Sequence, residues 1–427
     1  MQLSEQQRDA IGRAVMHSRG MLFITGKAGT GKSTVLREMK SSRAAIVLAP
    51  TGLAAVNVGG VTIHSFFGIK PGPVDDNTVG TLRDRSKKAL KACGCIVIDE
   101  VSMVRADLLD AMDSCLRRTF DSDLPFGGIA IIAFGDPYQI EPVISSDAEA
   151  LMIRDKYRSP FFFDALCLAG KNIATVELTQ VFRQEEGSIF VSVLNAIRVG
   201  FDALEDALET INFRLQSVQD IDEYTIVLTM TNAKAEQINA TRLRSIEGTY
   251  YVFVAEESGE WKGESPAPTE LKLKVGARVM TVSNKRERGE LIYSNGDLGT
   301  VVECDENQVV IELDNGREVT VETFTWERLK YEYSSIGGLT AVVIGSFKQF
   351  PIKLAWAVTV HKSQGQTYDK AHLLLEVRGF AHGQVYVALS RCRTLDGMTI
   401  ERRLRSDDIV VRERVTEWLE EQRGVAV

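Results

Sequence analysis

The segment Gly26-Lys27-Ala28-Gly29-Thr30-Gly31-Lys32-Ser33 constrains this chain more than any other. It follows an apolar run, Met21–Thr25, and opens a helical stretch, Lys32–Lys40. A strand therefore feeds a glycine-rich turn and a helix leaves it. Glycines let backbone N–H groups turn inward, and the helix N-terminus adds the positive end of its dipole. The spacing GxxxxGK[ST] is that of a loop that cradles the phosphates of a nucleotide. In such a loop Gly26, Ala28, Gly29, Thr30, Gly31, Lys32, Ser33 and Thr34 surround the phosphates; Lys32 reaches the β- and γ-phosphates, and the Ser33 hydroxyl ligates Mg²⁺.

The rest of the first half alternates strand and helix. Apolar or β-branched runs recur at Ala45–Ala49, Cys95–Ile98 and Ala130–Phe134, with a helical stretch at Arg105–Arg118. That alternation predicts an α/β fold with a parallel sheet covered on both faces. Ligands in such sheets bind beyond the carboxyl ends of the strands. One of those ends carries Ile96-Val97-Ile98-Asp99-Glu100, two acids after an apolar strand. Asp99 is placed to hold Mg²⁺ through water and Glu100 to polarise the attacking water. Hydrolysis also calls for a cation on the γ-phosphate. Arg183 in LTQVFRQ and Arg391 in YVALSRCR are candidates, and each also reads as an ordinary surface or ion-pair arginine.

Between Gly68 and Ala92 the pattern breaks at Pro71, Gly72 and Pro73, which suggests an excursion out of the sheet. A second α/β pattern starts near Ile173, with strand candidates Ile173–Leu178, Thr225–Thr229, Leu354–Val360 and Ala371–Leu375. It is interrupted at about Leu291–Ser346 by short runs, Gly299–Cys304, Gln308–Leu313 and Glu318–Thr323. The hairpin signal Asp314-Asn315-Gly316 lies among them. That insertion predicts a small β-barrel.

A chain of 427 residues is long enough for two or more domains. Its net charge of −8 argues against a protein that simply coats nucleic acid, yet leaves room for a basic groove. Basic clusters occur at Arg83–Lys91, Lys272–Arg278, Lys285–Arg288 and Arg402–Arg405, each equally readable as a solvated face. The six cysteines form no CxxC pair, which speaks against a zinc site or a disulfide framework. No apolar run is long enough for a membrane span, and the polar start Met1–Asp9 points to the cytosol or nucleoid.

The order of these motifs resembles superfamily-one DNA helicases of the 5′→3′ branch, most closely the PIF family, with RecD-like and Dda-like enzymes as relatives. The likeness covers nearly the whole chain. LSEQQRDAI is similar to the adenine-reading Q motif, GKAGTGKST to motif I, APTGLAAVNVGGVTIHSFFG to motif Ia with its following element, and IDEVSM to motif II. FGDPYQIEPV is similar to motif III, LTQVFRQ to motif IV, VTVHKSQGQT to motif V and YVALSRCR to motif VI. The resemblance implies an ATP- and Mg²⁺-dependent helicase that moves on single-stranded DNA and opens forked or 5′-tailed duplex. G-quadruplexes or RNA–DNA hybrids are further substrates, in replication, repair, recombination or telomere maintenance. A monomer working beside single-strand-binding or replication proteins is implied.

By the same resemblance Gln7 reads the base, Gln139 senses phosphate, Gln364 and Gly365 touch the nucleotide, and Arg183 and Arg391 meet the γ-phosphate. Thr51, His64, Ser65 and Phe66 in one domain, and Thr359, His361 and Lys362 in the other, fall to DNA. Core packing for Phe66 and Phe67, and a structural hydrogen bond for His64, remain the alternatives. Two RecA-like domains are implied, 1–67 with 92–172 and 173–290 with 347–427, carrying a wedge at 68–91 and an SH3-like barrel at 291–346. Motif III departs from the family pattern at Pro137 and Glu141, leaving Tyr138 as the ring nearest a stacking position. A RecD-like translocase subunit and a nucleotide-dependent DNA-binding switch are the competing readings.

Overall fold

The computed structural model describes residues 3–70, 72, 74, 79–144, 146–171, 173–182, 188–201, 203–261, 265–288, 290–306, 308–334, 338–375 and 381–424. The chain forms two compact units. The first is Met1–Arg183 with Arg328–Ile344 and Val411–Val427; the second is Gln184–Glu327 with Gly345–Val410.

The first unit is built on a parallel sheet of β1 (Gly20–Gly26), β2 (Ile46–Ala49), β3 (Val61–Thr62), β4 (Cys95–Ile98), β5 (Ala130–Phe134) and β6 (Ala174–Leu178). Their order is β3-β2-β4-β5-β1-β6. Every residue of β2, β4 and β5 is buried, which is why these strands read as continuous apolar runs. Helices α1 (Glu5–Met16), α2 (Lys32–Ser42), α3 (Gly52–Asn57), α4 (Ile63–Phe67), α5 (Asp84–Cys93), α6 (Ala106–Phe120) and α7 (Asp147–Lys156) complete it. Successive strand residues face opposite ways. Leu22, Ile24, Val97 and Ile132 pack on α1 and α2, while Phe23, Ile96, Ile98 and Ile131 pack on α6.

Strand β6 differs from the sequence expectation. It pairs with β1 from Leu22↔Ala174 to Gly26↔Leu178, so the stretch after Ile173 extends the first sheet and does not open the second domain. The C-terminal helix Glu413–Gly424 differs likewise: it belongs to the first unit, not to the second. Trp418 stacks on Phe163 at 4.4 Å between centroids and lies 5.5 Å from Phe23, and Arg414 grips the Asp164 carboxylate at 2.9 and 3.0 Å. An aromatic plug and a two-pronged charged bond hold this helix against the sheet.

The excursion at 68–91 is narrower than its composition suggests. Ala89 and Leu90 of α5, together with Ile69, Val74, Val79 and Leu82, join the first unit's core. Helix α6 holds the described parts from both ends. At its start Arg105 donates to Gly72 O at 2.7 Å, and the Asp107 carboxylate accepts the Val74 N–H at 3.2 Å. At its far end Thr119 accepts the Leu82 N–H at 2.8 Å, and Arg118 bonds Val79 O. Arg105 is in turn shared with Asp107 at 2.8 Å and Glu149 at 2.5 Å, both carboxylates buried.

The second unit carries a four-stranded parallel sheet in the order Ala357–Thr359, Ile226–Thr229, Ala371–Leu373, Met398–Ile400. Helices α8 (Ile189–Val199), α9 (Leu204–Asn212), α10 (Asn232–Ser245) and α11 (Gln384–Leu389) accompany it. The β insertion is wider than 291–346. Its five-stranded antiparallel sheet takes in Arg278–Thr281 and Ile352–Leu354, beside Leu298–Cys304, Val309–Leu313 and Glu318–Val321. The expected run Leu354–Val360 is thus two strands in two sheets. Arg278 pins the early strand by a two-pronged bond to Asp314, the first residue of the Asp-Asn-Gly turn. Glu256–Gly259 pairs antiparallel with the stretch Gly345–Lys348.

Two outcomes follow from this packing. Trp418→Ala removes the plug of the aromatic cluster and should cost about 3–5 kcal/mol, read as a lower urea midpoint. Burial also holds His17, His64, His361 and His372 below the ordinary imidazole pKa. Folded imidazoles then refuse protons that the unfolded chain accepts, so stability falls as pH drops through about 6.5. The raised Asp99 carboxyl works the other way, so in an Asp99→Asn variant the melting temperature should decline between about pH 7 and 5.5, and a flat profile there would contradict the assignment.

Candidate nucleotide and nucleic-acid site

The phosphate loop leaves β1 at Gly26 and enters α2 at Lys32. Gly31 precedes the helix with φ +83° and no side-chain cap, so the first N–H groups of α2 are left for an anion. A Cβ at Gly31 would meet the movable amide end of Gln7, so it is the positive φ that favours glycine there. Lys32 folds across its own loop, donating to Gly26 O at 2.6 Å and Lys27 O at 3.2 Å. Its ammonium is thereby held over the concavity. Thr30 closes the turn through Lys27 O at 3.0 Å, and Ser33 stands exposed in the first turn of α2. Ala28 is buried within the loop, and Thr34 N–H returns to Gly31 O at 3.0 Å.

Gln7, the residue expected at the base, is engaged within the protein. It is buried, its Oε1 accepts the Ser4 N–H at 3.0 Å, and its Nε2 donates to Thr30 O at 3.3 Å. Ser4 and Gln7 form a capping box on α1, so this glutamine ties that helix to the phosphate loop. The loop is also held from the other side, where the Phe182 N–H donates to Gly29 O at 2.8 Å. The half-exposed Phe182 ring reaches to the Gly31 edge. Sequence reading passed over this ring; the apolar residue before the motif IV arginine was its only signal. Arg183, the next residue, lies outside the described residues.

At the end of β4, two strands from β1, stand Asp99 and Glu100. Burial first, and the neighbouring Glu100 second, push the Asp99 carboxyl up to about 7, with Lys32 pulling the other way. Glu100 adopts φ +50°, a left-handed conformation that costs a non-glycine residue roughly 1 kcal/mol or more. Strain and an ill-solvated carboxylate thus meet at one point, a common mark of a functional site. Ser33 and Asp99 fit a divalent cation, since a half-buried, poorly solvated acid beside a second acid is the kind of donor set that such a charge relieves. Asp136 and Gln139, after β5, are buried, and Gln139 N–H bonds Asp136 O at 2.9 Å.

Tyr138 and Phe66 are not available for stacking. Tyr138 is buried in the first unit's core, its hydroxyl 3.3 Å from Thr416, and Phe66 is buried against Phe67 edge-to-face at 5.2 Å. Both rings are core because β1, β2 and α6 offer apolar surface where the turns deliver them. Glu141, which departs from the motif III pattern, is paired with Arg412 at 2.9 and 3.1 Å. Thr51 caps α3 through the Ala54 N–H at 3.2 Å, and Ser65 is exposed. His64 is half-buried; burial and then Arg105 hold its pKa below the ordinary imidazole value, against Asp107 and Glu149.

In the second unit Arg391 is nearly inaccessible. Its Nε donates to Val387 O at 2.8 Å, Nη1 to Ser363 O and Gln366 O at 3.3 Å each, and Nη2 to Ser390 Oγ at 2.8 Å. The guanidinium therefore laces the motif V turn to the motif VI helix. The Gln364 Nε2 is buried with no hydrogen-bond partner among the described residues, and Gly365 is exposed with φ +79°. Gln366 reaches the barrel insertion: its side chain lies so close to Gly296 that any Cβ there would collide, and it donates to Asn295 at 3.3 Å. Thr359 accepts the Lys362 N–H at 3.3 Å, and burial keeps His361 below its usual pKa. Thr359 and Lys362 open onto a groove of about 400 Å³, whose other walls include Asn232, Asn239, Lys272 and Lys353.

The model of the PIF1-like helicase family matches residues 2–203. The ATP-dependent DNA helicase PIF1 of Danio rerio is 32% identical over 408 residues, covering 93% of this chain and 61% of that protein. The chain thus spans about three fifths of the length of this curated relative. The crystal structure of Bacteroides sp. Pif1 in complex with ADP-AlF4 is 35% identical, with a TM-score of 0.90 over 100% of this chain and 98% of that one. Bacteroides Pif1 bound to single-stranded DNA is 36% identical, with a TM-score of 0.71 over 99% of this chain and 98% of that one. With its two parallel sheets of RecA-like type, its phosphate loop and its ordered motifs, this chain belongs to the PIF1-like helicase family.

Proposed function

We propose that this chain is an ATP-dependent DNA helicase that moves 5′→3′ on single-stranded DNA and unwinds duplex ahead of it. The observation that carries this reading is the first unit's phosphate loop, held from both sides, with the poorly solvated Asp99 and the strained Glu100 at the end of β4. The relatives support it: one solved structure holds ADP-AlF4 and another single-stranded DNA.

In this reading Lys32 exchanges its loop carbonyls for phosphate oxygens, Glu100 orients the attacking water and Gln139 responds to the γ-phosphate. Ser33 and Asp99 hold Mg²⁺, which neutralises charge on the phosphates. Arg183 and Arg391 supply the remaining positive charge, and Gln364 and Gly365 adjoin the nucleotide. Gln7 reads the base and clamps the loop beside it. Thr51, His64 and Ser65 grip the strand in the first unit, and Thr359, His361 and Lys362 in the second. The groove beside Thr359 carries Lys353 and Lys362, with Lys272 paired to Glu270, and the first two lysines are what would meet a phosphate backbone there. Turnover alternates the two grips and so advances the protein. The excursion at 68–91, in which Gly72 and Val79 accept from Arg105 and Arg118, is the wedge.

A duplex with a 5′ single-stranded tail should be unwound and one with only a 3′ tail should not. The reverse preference removes the direction, and ATP turnover indifferent to single-stranded DNA removes the motor. Lys32→Ala serves as the inactive control. Arg391→Ala should lower turnover by about 10³-fold or more with nucleotide binding largely kept. Retained turnover would leave Arg391 a clamp on the motif V turn alone.

A further inference from the structure

The basic cluster at the C-terminal end of the excursion has no part in the nucleotide and single-strand contacts described above. Helix α5 buries Ser86, Ala89 and Leu90 and exposes Arg83, Lys87, Lys88 and Lys91. Among the described residues none of these four cations enters a salt bridge. Arg83, Lys87 and Lys91 recur every fourth residue and so form one stripe, with charges about 6 Å apart along the helix axis. In a chain of net charge −8, the segment 83–91 holds five cations and a single carboxylate, Asp84.

We infer that this stripe is a docking surface for the phosphodiester backbone of double-stranded DNA at the fork. Three observations single out that partner. A row of exposed cations at this spacing complements neighbouring phosphates on one strand. No aromatic side chain stands on the exposed face of α5, and tracks for single strands combine cations with rings on which bases stack. Charge without a stacking platform suits bases that are already paired. Finally, Arg83 follows Val79 by four residues, a reach of at most about 14 Å, so the stripe begins close to the point where the excursion is anchored on α6. The Leu82 N–H bond to Thr119 and the Arg118 bond to Val79 fix that starting point on α6. A duplex meeting the excursion therefore lies within reach of α5.

The inference rests on the helicase reading for the word fork, but its measurement does not. Compare the parent protein with the triple variant Arg83→Ala/Lys87→Ala/Lys91→Ala, and with Arg83→Lys/Lys87→Arg/Lys91→Arg. Measure affinity for blunt duplex and for single-stranded DNA over a range of salt. The alanine variant should lose on the order of tenfold in duplex affinity near 0.1 M salt. Its duplex salt slope should flatten by roughly 0.9 for each phosphate left without its cation, about 2.7 for three. Single-strand affinity and single-strand-stimulated ATP turnover should be unchanged, and the charge-conserving variant should behave as the parent. An unchanged duplex slope overturns the assignment and leaves α5 a solvated face or a surface for an acidic protein. Equal losses on single strands and duplex also overturn it, placing the stripe on the single-strand track. Failure of the parent to respond to single-stranded DNA would strike the helicase reading instead, and the duplex slopes would still judge the stripe.

Discussion

A phosphate loop is made of backbone, and backbone has no shape of its own without neighbours. The whole first unit can be understood as the support of that one turn. Gln7 holds Thr30 from the side of α1, Phe182 holds Gly29 from the end of β6, and Lys32 bridges the mouth. Each bond contributes about 1 kcal/mol net, so none suffices alone. Together they aim a row of N–H groups before any phosphate arrives, and pre-aimed dipoles are what make an electrostatic site effective. That support also explains why β6 must belong to the first sheet. The segment 179–182 can reach the loop only if the strand before it lies beside β1.

Helix α6 is the second organising element. It starts a few residues after Asp99 and Glu100, packs through Leu109, Met112 and Leu116 on the sheet, and fastens the excursion at both ends. The acidic pair and the excursion are therefore joined by one rigid rod. Arg105 shares its charge between two buried carboxylates, an arrangement that resists loss of any one partner because each would leave an unpaired charge behind. The second unit repeats the theme with different parts, since Arg391 and Gln366 lace motif V to motif VI and to the barrel insertion.

Much of this was legible in the chain itself. The strands Cys95–Ile98 and Ala130–Phe134 fall where apolar runs predict them, because a parallel strand buried on both faces leaves no alternative pattern. The Asp-Asn-Gly turn closes the hairpin it announces, with Gly316 at φ +79°. Less legible were residues whose role depends on what surrounds them. Phe66 and Tyr138 sit inside motifs that pointed them at a ligand, yet both fill the core. A motif records which residue types recur at a spacing and says nothing of which way a ring turns.

The sequence by itself determined the nucleotide chemistry: the loop, the acidic pair after β4 and the order of the motifs follow from local spacing, and local spacing is what a strand–turn–helix unit preserves. Only the tertiary structure decided membership. The strand at 174–178 and the C-terminal helix joined the first unit, and Arg278–Thr281 joined the barrel sheet, through contacts among residues far apart in the chain. Sheet order, a stacked tryptophan and a two-pronged arginine settle those choices, and none of them leaves a periodic trace in a linear sequence.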